Sequence, residues 1–281
     1  MSRTTPGSLD GSARERLELK AKWVWRETLK IHRRAPETRI ASSLSAVELL
    51  TVLYYGGFLR LDAARPLWEL RDRFIVSKGH GAIALYPILA DLGFFPAAEF
   101  ERVCRSGGIL GGIPDPVIPG FETVNGSLGH GLGVGAGMAL GLRRKGSASR
   151  VYVVVGDGEL HEGANWEALM FAAQQRLGNL TIIVDDNGIS MLDHTERFLS
   201  HRSLCTKLAA FGWRCEEVNG HSVAELHAAL ATMTADDGDT PGCILAHTRK
   251  GRGVPGLEDV SLSHVMAIPR DVIDRLLGDS S

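Results

Sequence analysis

The sequence has no excess of either charge. Its 31 lysines and arginines stand against 33 aspartates and glutamates, a net charge of −2. Nucleic acids and anionic membrane surfaces select a basic excess or patch, so neither is expected as a partner. No apolar run approaches the ~18 residues needed to span a bilayer. The opening MSRTTPGSLDGSARER has no apolar core of an export signal. The four cysteines, Cys104, Cys205, Cys215 and Cys243, contain no CxxC pair. Without an export signal, reduced thiols are the expected state. These absences predict a cytoplasmic, soluble protein. There is no internal repeat and no linker between domains. What remains is an ordinary globular composition: 281 residues, 44% hydrophobic and 23% charged. Such a chain buries a full core and is not disordered. Glycine is the exception, with 33 residues, many in clusters.

Residues 1–11 read as a flexible tail, and 12–281 as a single domain. From Ala13 a helix is expected, with Leu17, Ala21, Val24, Trp25, Thr28, Leu29 and His32 on one face. A second helix should run from Ser45 to Tyr55, stopped by Gly56-Gly57. The short run Phe74-Ile75-Val76 precedes Ser77-Lys78-Gly79-His80-Gly81 and a helix through Leu92. Residues 105–133 read as loop, and 130–143 as a small-residue helix. The second half alternates. Strands are expected at 151–155, 180–184, 214–218 and 243–246, with helices at 163–177, 201–211 and 222–234. The strands are continuously apolar, which implies a mostly parallel sheet covered by helices on both faces. The fold class is therefore α/β, three layers with a helical N-terminal lead-in.

The chemistry concentrates at VYVVVGDGELHEGANW, residues 151–166. A buried strand ends in Gly156-Asp157-Gly158, and in parallel sheets ligands bind at the carboxyl ends of strands. Glycines there let a phosphate and its metal approach the backbone. The next strand ends in Asp185-Asp186-Asn187-Gly188-Ile189. One strand–helix–strand passage sets the two ends side by side, so Asp157 and Asn187 offer hard oxygen ligands at one point. With a backbone carbonyl, phosphate oxygens and water they complete an octahedral oxygen set, which suits Mg²⁺. The bland alternative is a strand-end turn with an Asp cap and nothing bound.

Gly156-Asp157-Gly158, followed after 28 residues by Asn187, resembles the thiamine-diphosphate signature. The chain resembles the N-terminal, diphosphate-binding subunit of a split, two-chain transketolase. The resemblance is carried by RDRFIVSKGHGA at 71–82, GSLGHGLGVGAGMAL at 126–140, GDGELHEGANWEA at 156–168, DDNGIS at 185–190, VNGHS at 218–222 and HTRKGRG at 247–253. It implies the thiamine-diphosphate-binding fold. It also implies transfer of a two-carbon ketol unit from a ketose-type donor to an aldehyde. Thiamine diphosphate is the implied cofactor, with Mg²⁺ (or Ca²⁺ or Mn²⁺) on Asp157, Asn187 and the Ile189 carbonyl. Gly156 and Gly158 would flank the diphosphate, and His80 would stand beside it. Ser127, Leu128 and Gly129 match a loop that meets the aminopyrimidine, with Ser127 in place of the family's proline. His264 matches a histidine near the diphosphate and substrate, across the poorly matching stretch 254–263. Glu162 and Glu167 match glutamates linking two active sites across a dimer interface; the bland alternative is a helix's acidic first turn. His161, His194, His201, His221 and His227 have no metal spacing and read as structural or exposed.

The resemblance also exposes an absence. The glutamate that activates the aminopyrimidine belongs to a pyrimidine domain, and nothing here matches it. A separate C-terminal subunit is the implied partner, in an α2β2 heterotetramer, and the chain alone would be inactive. Two family histidines are replaced, one by Arg39 and one by Ile113. Arginine only donates, and isoleucine neither donates nor accepts, so the donor is expected to be atypical. The bland alternative pairs Arg39 with Glu37 or Glu48. Three other functions compete. The alpha subunit of a 2-oxo-acid dehydrogenase, or another thiamine-diphosphate acyl or acyloin transferase, shares the metal site. A nicotinamide enzyme would use the loose GxGxxA at 131–136, but no strand precedes it. A degenerate assembly subunit would not need to retain Asp157 and Asn187.

Overall fold

The computed structural model describes residues 7–235 and 238–278. Most of the expected tail therefore lies outside the described residues. Helix α1 (Gly11–Arg34) starts within the rest of it, because the Asp10 carboxylate caps its first turn by accepting the Ala13 N–H at 2.7 Å. The expected helix at 45–55 is α3 (Val47–Tyr55), preceded by a short α2 (Ile40–Leu44). Strand β1 (Arg73–Val76) leads through a 3-10 turn at Gly79–Ala84 into α4 (Leu85–Asp91). After a long loop come α5 (Gly131–Arg144), β2 (Val151–Gly156), α6 (Gly163–Gln174) and β3 (Leu180–Asp186). The chain continues through α7 (Thr195–Phe198), α8 (Leu204–Phe211), β4 (Arg214–Asn219), α9 (Val223–Ala235), β5 (Gly242–His247) and α10 (Arg270–Leu277).

The sheet order is β1-β2-β3-β5-β4, with every pair parallel. Alternate residues of a strand face opposite sides. Tyr152 and Val154 of β2 therefore join the core under α1, α3, α4 and α9, while Val151, Val153 and Val155 join the core under α5, α6 and α8. Burial on both faces explains the unbroken apolar runs. Helix α5 lies close on β2 because Gly135 has no side chain; a Cβ there would stand 2.5 Å from Val153 Cγ2. Among the described residues no helix is long and apolar enough to cross a membrane.

Two findings depart from the sequence expectations. Cys205 and Cys215 form a disulfide rather than two thiols. The left-handed turn at Gly212 (φ 94°) folds α8 back onto β4 and brings their Cα atoms to 5.2 Å. The second is α10, which the sequence pattern does not announce; its Asp274 takes an ion pair from Arg33 of α1 at 2.6 Å.

His32 ties this C-terminal segment to the lead-in. Thr38 Oγ1 donates to the Ala35 carbonyl, so His32 Nδ1 donates to Thr38 Oγ1 at 2.8 Å and Nε2 accepts the Ile268 N–H at 3.1 Å. Both ring nitrogens are used by the neutral form. Burial pushes the imidazole down to about 4, against a slight opposing pull from Glu37. The unfolded chain therefore takes up a proton below about pH 6.5 that the folded chain refuses. Stability falls as pH drops from 6.5 toward 4, by about 2 kcal/mol at pH 5 from this group. Denaturant unfolding at pH 7 and pH 5 should reproduce that loss, and His32→Asn should flatten it. An equal slope in wild type and variant would refute the assignment.

Candidate active site

The carboxyl ends of β2 and β3 lie next to each other, with Gly156 in register with Asp185. Asp157 follows β2 and Asn187 follows β3, both buried. One passage of strand, helix and strand thus brings them together. Asp157 Oδ2 accepts the Gly188 N–H at 2.9 Å and the Thr195 hydroxyl at 3.2 Å. The Ile189 N–H donates to Asn187 Oδ1 at 3.3 Å. Burial, and then the neighbouring Asp186 and Asp185, push the Asp157 carboxyl up to about 6. A buried carboxylate crowded by others is a place where a cation relieves both penalties.

A cavity of about 650 Å³ opens over these strand ends. Two lysines in its wall carry no role that the sequence alone suggests. Lys78 forms a buried ion pair with Asp185. Burial alone would raise the Asp185 carboxyl, but the Lys78 charge and hydrogen bonds from Lys78, Ser45 and Thr248 hold it below the usual range. Lys250 Nζ donates to the Ile189 carbonyl at 2.8 Å and the Ser190 carbonyl at 2.7 Å. Burial, then Lys78, push its ammonium down to about 8. Both lysines lie inside quoted motifs, SKGHG and HTRKGRG, so the signal is present without a role attached.

His80 and His264 meet across the cavity wall although they stand 184 positions apart, His264 Nε2 lying 3.1 Å from His80 Nδ1. Ser42 Oγ lies 3.0 Å from His264 Nδ1. The poorly matching stretch 254–263 thus delivers His264 to the site. Burial pushes His264 down to about 3, helped by the positive charges of Lys250, Arg39 and Lys78. His80 is lowered by burial, then by Arg39 and Lys250. Both imidazoles are neutral at physiological pH and free to accept as well as donate. Arg39 precedes α2, one turn from Ser42. The carboxylates suggested for it are otherwise engaged: Glu37 pairs with Arg105 at 2.8 Å and Glu48 with His221 at 3.0 Å.

Glu159 is the most consequential residue that the sequence pattern conceals. Its buried carboxylate accepts the Gly129 N–H at 3.0 Å, the Gly156 N–H at 3.2 Å and the Ser77 hydroxyl. It therefore fixes three site segments on one group. Gly129, at φ 87°, also packs so tightly that a Cβ would stand 2.6 Å from Glu162 Cβ. Ser127 belongs to this loop, and Leu128 and Gly158 line the cavity. Glu162 and Glu167 are exposed, at and near the start of α6. His161 is not merely structural: it lines the cavity, and its ring packs on that of His201 at 4.6 Å. His194, His221 and His227 lie outside the cavity lining.

The donor set suits a metal–diphosphate group. Among the described residues no cluster of three or more His, Cys, Asp and Glu is placed to hold an ion. One carboxylate, one amide and one carbonyl leave coordination positions for phosphate oxygens, and Lys250 and the neutral His80 supply donors. The family described as "Transketolase, thiamine diphosphate binding domain" matches residues 39–277.

The chain belongs to the transketolase family.

The transketolase relatives fall into two lengths. One of the separately encoded subunits of the apulose-4-phosphate transketolase of Phocaeicola vulgatus is 34% identical over 250 residues, covering 89% of this chain and 88% of that one. The 6-deoxy-6-sulfo-D-fructose transketolase subunit SqwG of a Clostridium species is 35% identical, covering 83% of this chain and 84% of that one. Human transketolase is 37% identical over 239 residues, covering 84% of this chain but 37% of its own length. The chain thus spans most of the separate subunits and just over a third of the single-chain enzymes. Among solved structures, transketolase from Leishmania mexicana superposes with a TM-score of 0.84 at 27% identity, over 93% of this chain and 41% of that one. The loose GxGxxA at 131–136 opens α5 from a loop rather than from a strand, which disposes of the nicotinamide reading.

Proposed function

We propose that this chain is the diphosphate-binding subunit of a two-chain transketolase that moves a two-carbon ketol unit from a ketose-type donor to an aldehyde. The observation that carries this reading is the adjacency of Asp157 and Asn187 beneath a cavity walled by His80, Lys250 and His264. Bound thiamine diphosphate supplies a carbon nucleophile. The chain's own residues do the rest. Asp157, Asn187 and the Ile189 carbonyl hold Mg²⁺, Ca²⁺ or Mn²⁺ against the diphosphate. His80 and Lys250 would be the donors to the diphosphate. The neutral His80–His264 pair holds and passes protons beside the reacting carbonyl.

The partner is a separate pyrimidine-domain subunit, in an α2β2 assembly. Val134 on α5 and Met170 and Phe171 on α6 are exposed apolar residues. Glu167 shares a helical face with Met170 and Phe171 by spacing. An apolar patch beside Glu162 and Glu167 supports docking there. The cytoplasm is the expected compartment. The named relatives act on apulose 4-phosphate and 6-deoxy-6-sulfo-D-fructose, which supports a ketose with an anionic group as the substrate class. Arg39 and Ile113 make the donor atypical within it. Metal removal tests the site. Chelation should abolish thiamine diphosphate binding by the two-chain complex, and Mg²⁺ should restore it. Undiminished binding after exhaustive chelation would refute the metal assignment.

A further inference from the structure

Glu159 belongs to the cavity wall, yet it is only 2% exposed. Its carboxylate works from both ends. Oε1 accepts the Gly129 N–H at 3.0 Å and the Ser77 hydroxyl, and Oε2 accepts the Gly156 N–H at 3.2 Å. The three donors come from three segments. Ser77 follows β1, Gly156 ends β2 immediately before Asp157, and Gly129 belongs to the loop before α5. The main chain of Glu159 is itself held. Its carbonyl accepts the side-chain amide of the buried Asn165 at 2.7 Å and the Glu162 N–H at 3.0 Å. A side chain that orients others needs such support.

The Gly129 bond fixes more than a loop position. A trans peptide sets its N–H opposite the preceding carbonyl. The Gly129 N–H faces Glu159, so the Leu128 carbonyl faces away from it. Among the described residues that carbonyl accepts no hydrogen bond, and Leu128 lines the cavity. One buried carboxylate thus ties the residue before Asp157 to a peptide whose acceptor is unpaired. We propose that Glu159 is a positioning residue: it sets the Leu128–Gly129 peptide at a fixed distance from the Asp157 turn, so that the Leu128 carbonyl accepts from the cofactor's amino group while the metal end is held. This rests on the thiamine-diphosphate reading of the site. Asp157 and Asn187 then govern whether the cofactor binds, and Glu159 governs how its two ends are aligned. A misplacement of about 1 Å costs on the order of 10²-fold in rate without a matching loss of binding.

The test uses the two-chain complex, with and without thiamine diphosphate and Mg²⁺, and compares Glu159→Gln and Glu159→Asp with wild type. In either orientation glutamine sets its NH₂ against the Gly129 or the Gly156 N–H. Aspartate keeps the charge but is one methylene too short to hold both. In the cofactor-free Glu159→Gln complex, amide hydrogen exchange at Gly129 or Gly156 should quicken by at least about tenfold, the scale of one charge-assisted bond. In the loaded complex, solvent exchange of the thiazolium C2 proton should slow by at least about tenfold, and kcat with it, while the donor KM and the cofactor dissociation constant change by less than about fivefold. Glu159→Asp should slow C2 exchange as well. Wild-type C2 exchange in Glu159→Gln overturns the inference. So does wild-type exchange in Glu159→Asp alone, because the charge and not the ties would then matter. An affinity loss equal to the loss of C2 exchange, or failure of both variants to assemble, makes Glu159 a folding residue and also overturns it. A wild-type complex that binds no cofactor overturns the thiamine-diphosphate reading instead.

Discussion

Purified alone, this chain should transfer no two-carbon unit above background; adding the pyrimidine-domain subunit should switch activity on. The cofactor's reactive carbon is activated through its aminopyrimidine, which needs a carboxylate on its ring nitrogen. Every carboxylate in the cavity wall is otherwise assigned. Asp157 is the proposed metal ligand, Glu159 is buried holding Gly129 and Gly156, and Glu162 is exposed on the face proposed for docking. Apolar side chains at the rim, Met191, Leu192, Phe198 and Leu199, remain exposed and need a surface to cover them. Positioned acid–base groups contribute roughly 10²–10⁴-fold, so the isolated chain should lose at least that factor. Steady-state assays of the chain, its partner and the mixture decide the matter. Robust turnover by the single chain would contradict the account.

Asp157→Ala should weaken thiamine diphosphate binding by the two-chain complex at least about tenfold, the loss of one charge-assisted contact. The alanine also strands the Gly188 N–H and Thr195 hydroxyl that the carboxylate accepts. Asp157→Asn separates the two effects, since its amide oxygen still accepts from them while the charge is gone. Burial beside Asp185 and Asp186 raises the wild-type carboxyl, so removing its charge relieves repulsion in the apo chain. Asp157→Asn should therefore keep or raise the apo melting temperature while cofactor affinity falls. Calorimetric titration together with thermal melts gives both numbers. An unchanged cofactor dissociation constant would remove Asp157 from the metal site.

The central strands are readable from sequence because they are buried on both faces and carry little but apolar residues; β2, β3 and β5 fall where those runs lie, whereas the edge strand β4, Arg-Cys-Glu-Glu-Val-Asn, is mostly polar and only partly buried. Asp157 and Asn187 are readable for the same reason, since strand ends locate ligands. Pairings across long separations are not. Glu37 and Glu48 stand close to Arg39 in sequence, yet their partners lie 68 and 173 positions away. Only folding reveals that Arg39 is left unpaired. His32 reads as one more residue on a helical face, and nothing local announces its bond to Ile268. The Cys205–Cys215 pair depends on the turn at Gly212 closing α8 onto β4, a tertiary feature that spacing does not encode. Glu159 is hidden by its neighbours: in Gly-Asp-Gly-Glu the aspartate draws the attention, and the glutamate's role appears only when Gly129 arrives beside it.

The most direct measurement is a structure of the two-chain complex with thiamine diphosphate and Mg²⁺. The account predicts one metal ion about 2.1 Å from Asp157, Asn187 and the Ile189 carbonyl oxygen. The diphosphate should lie within hydrogen-bond reach of His80 and Lys250, with the aminopyrimidine against the partner subunit. A cofactor held wholly within this chain, or a metal away from Asp157 and Asn187, would contradict it.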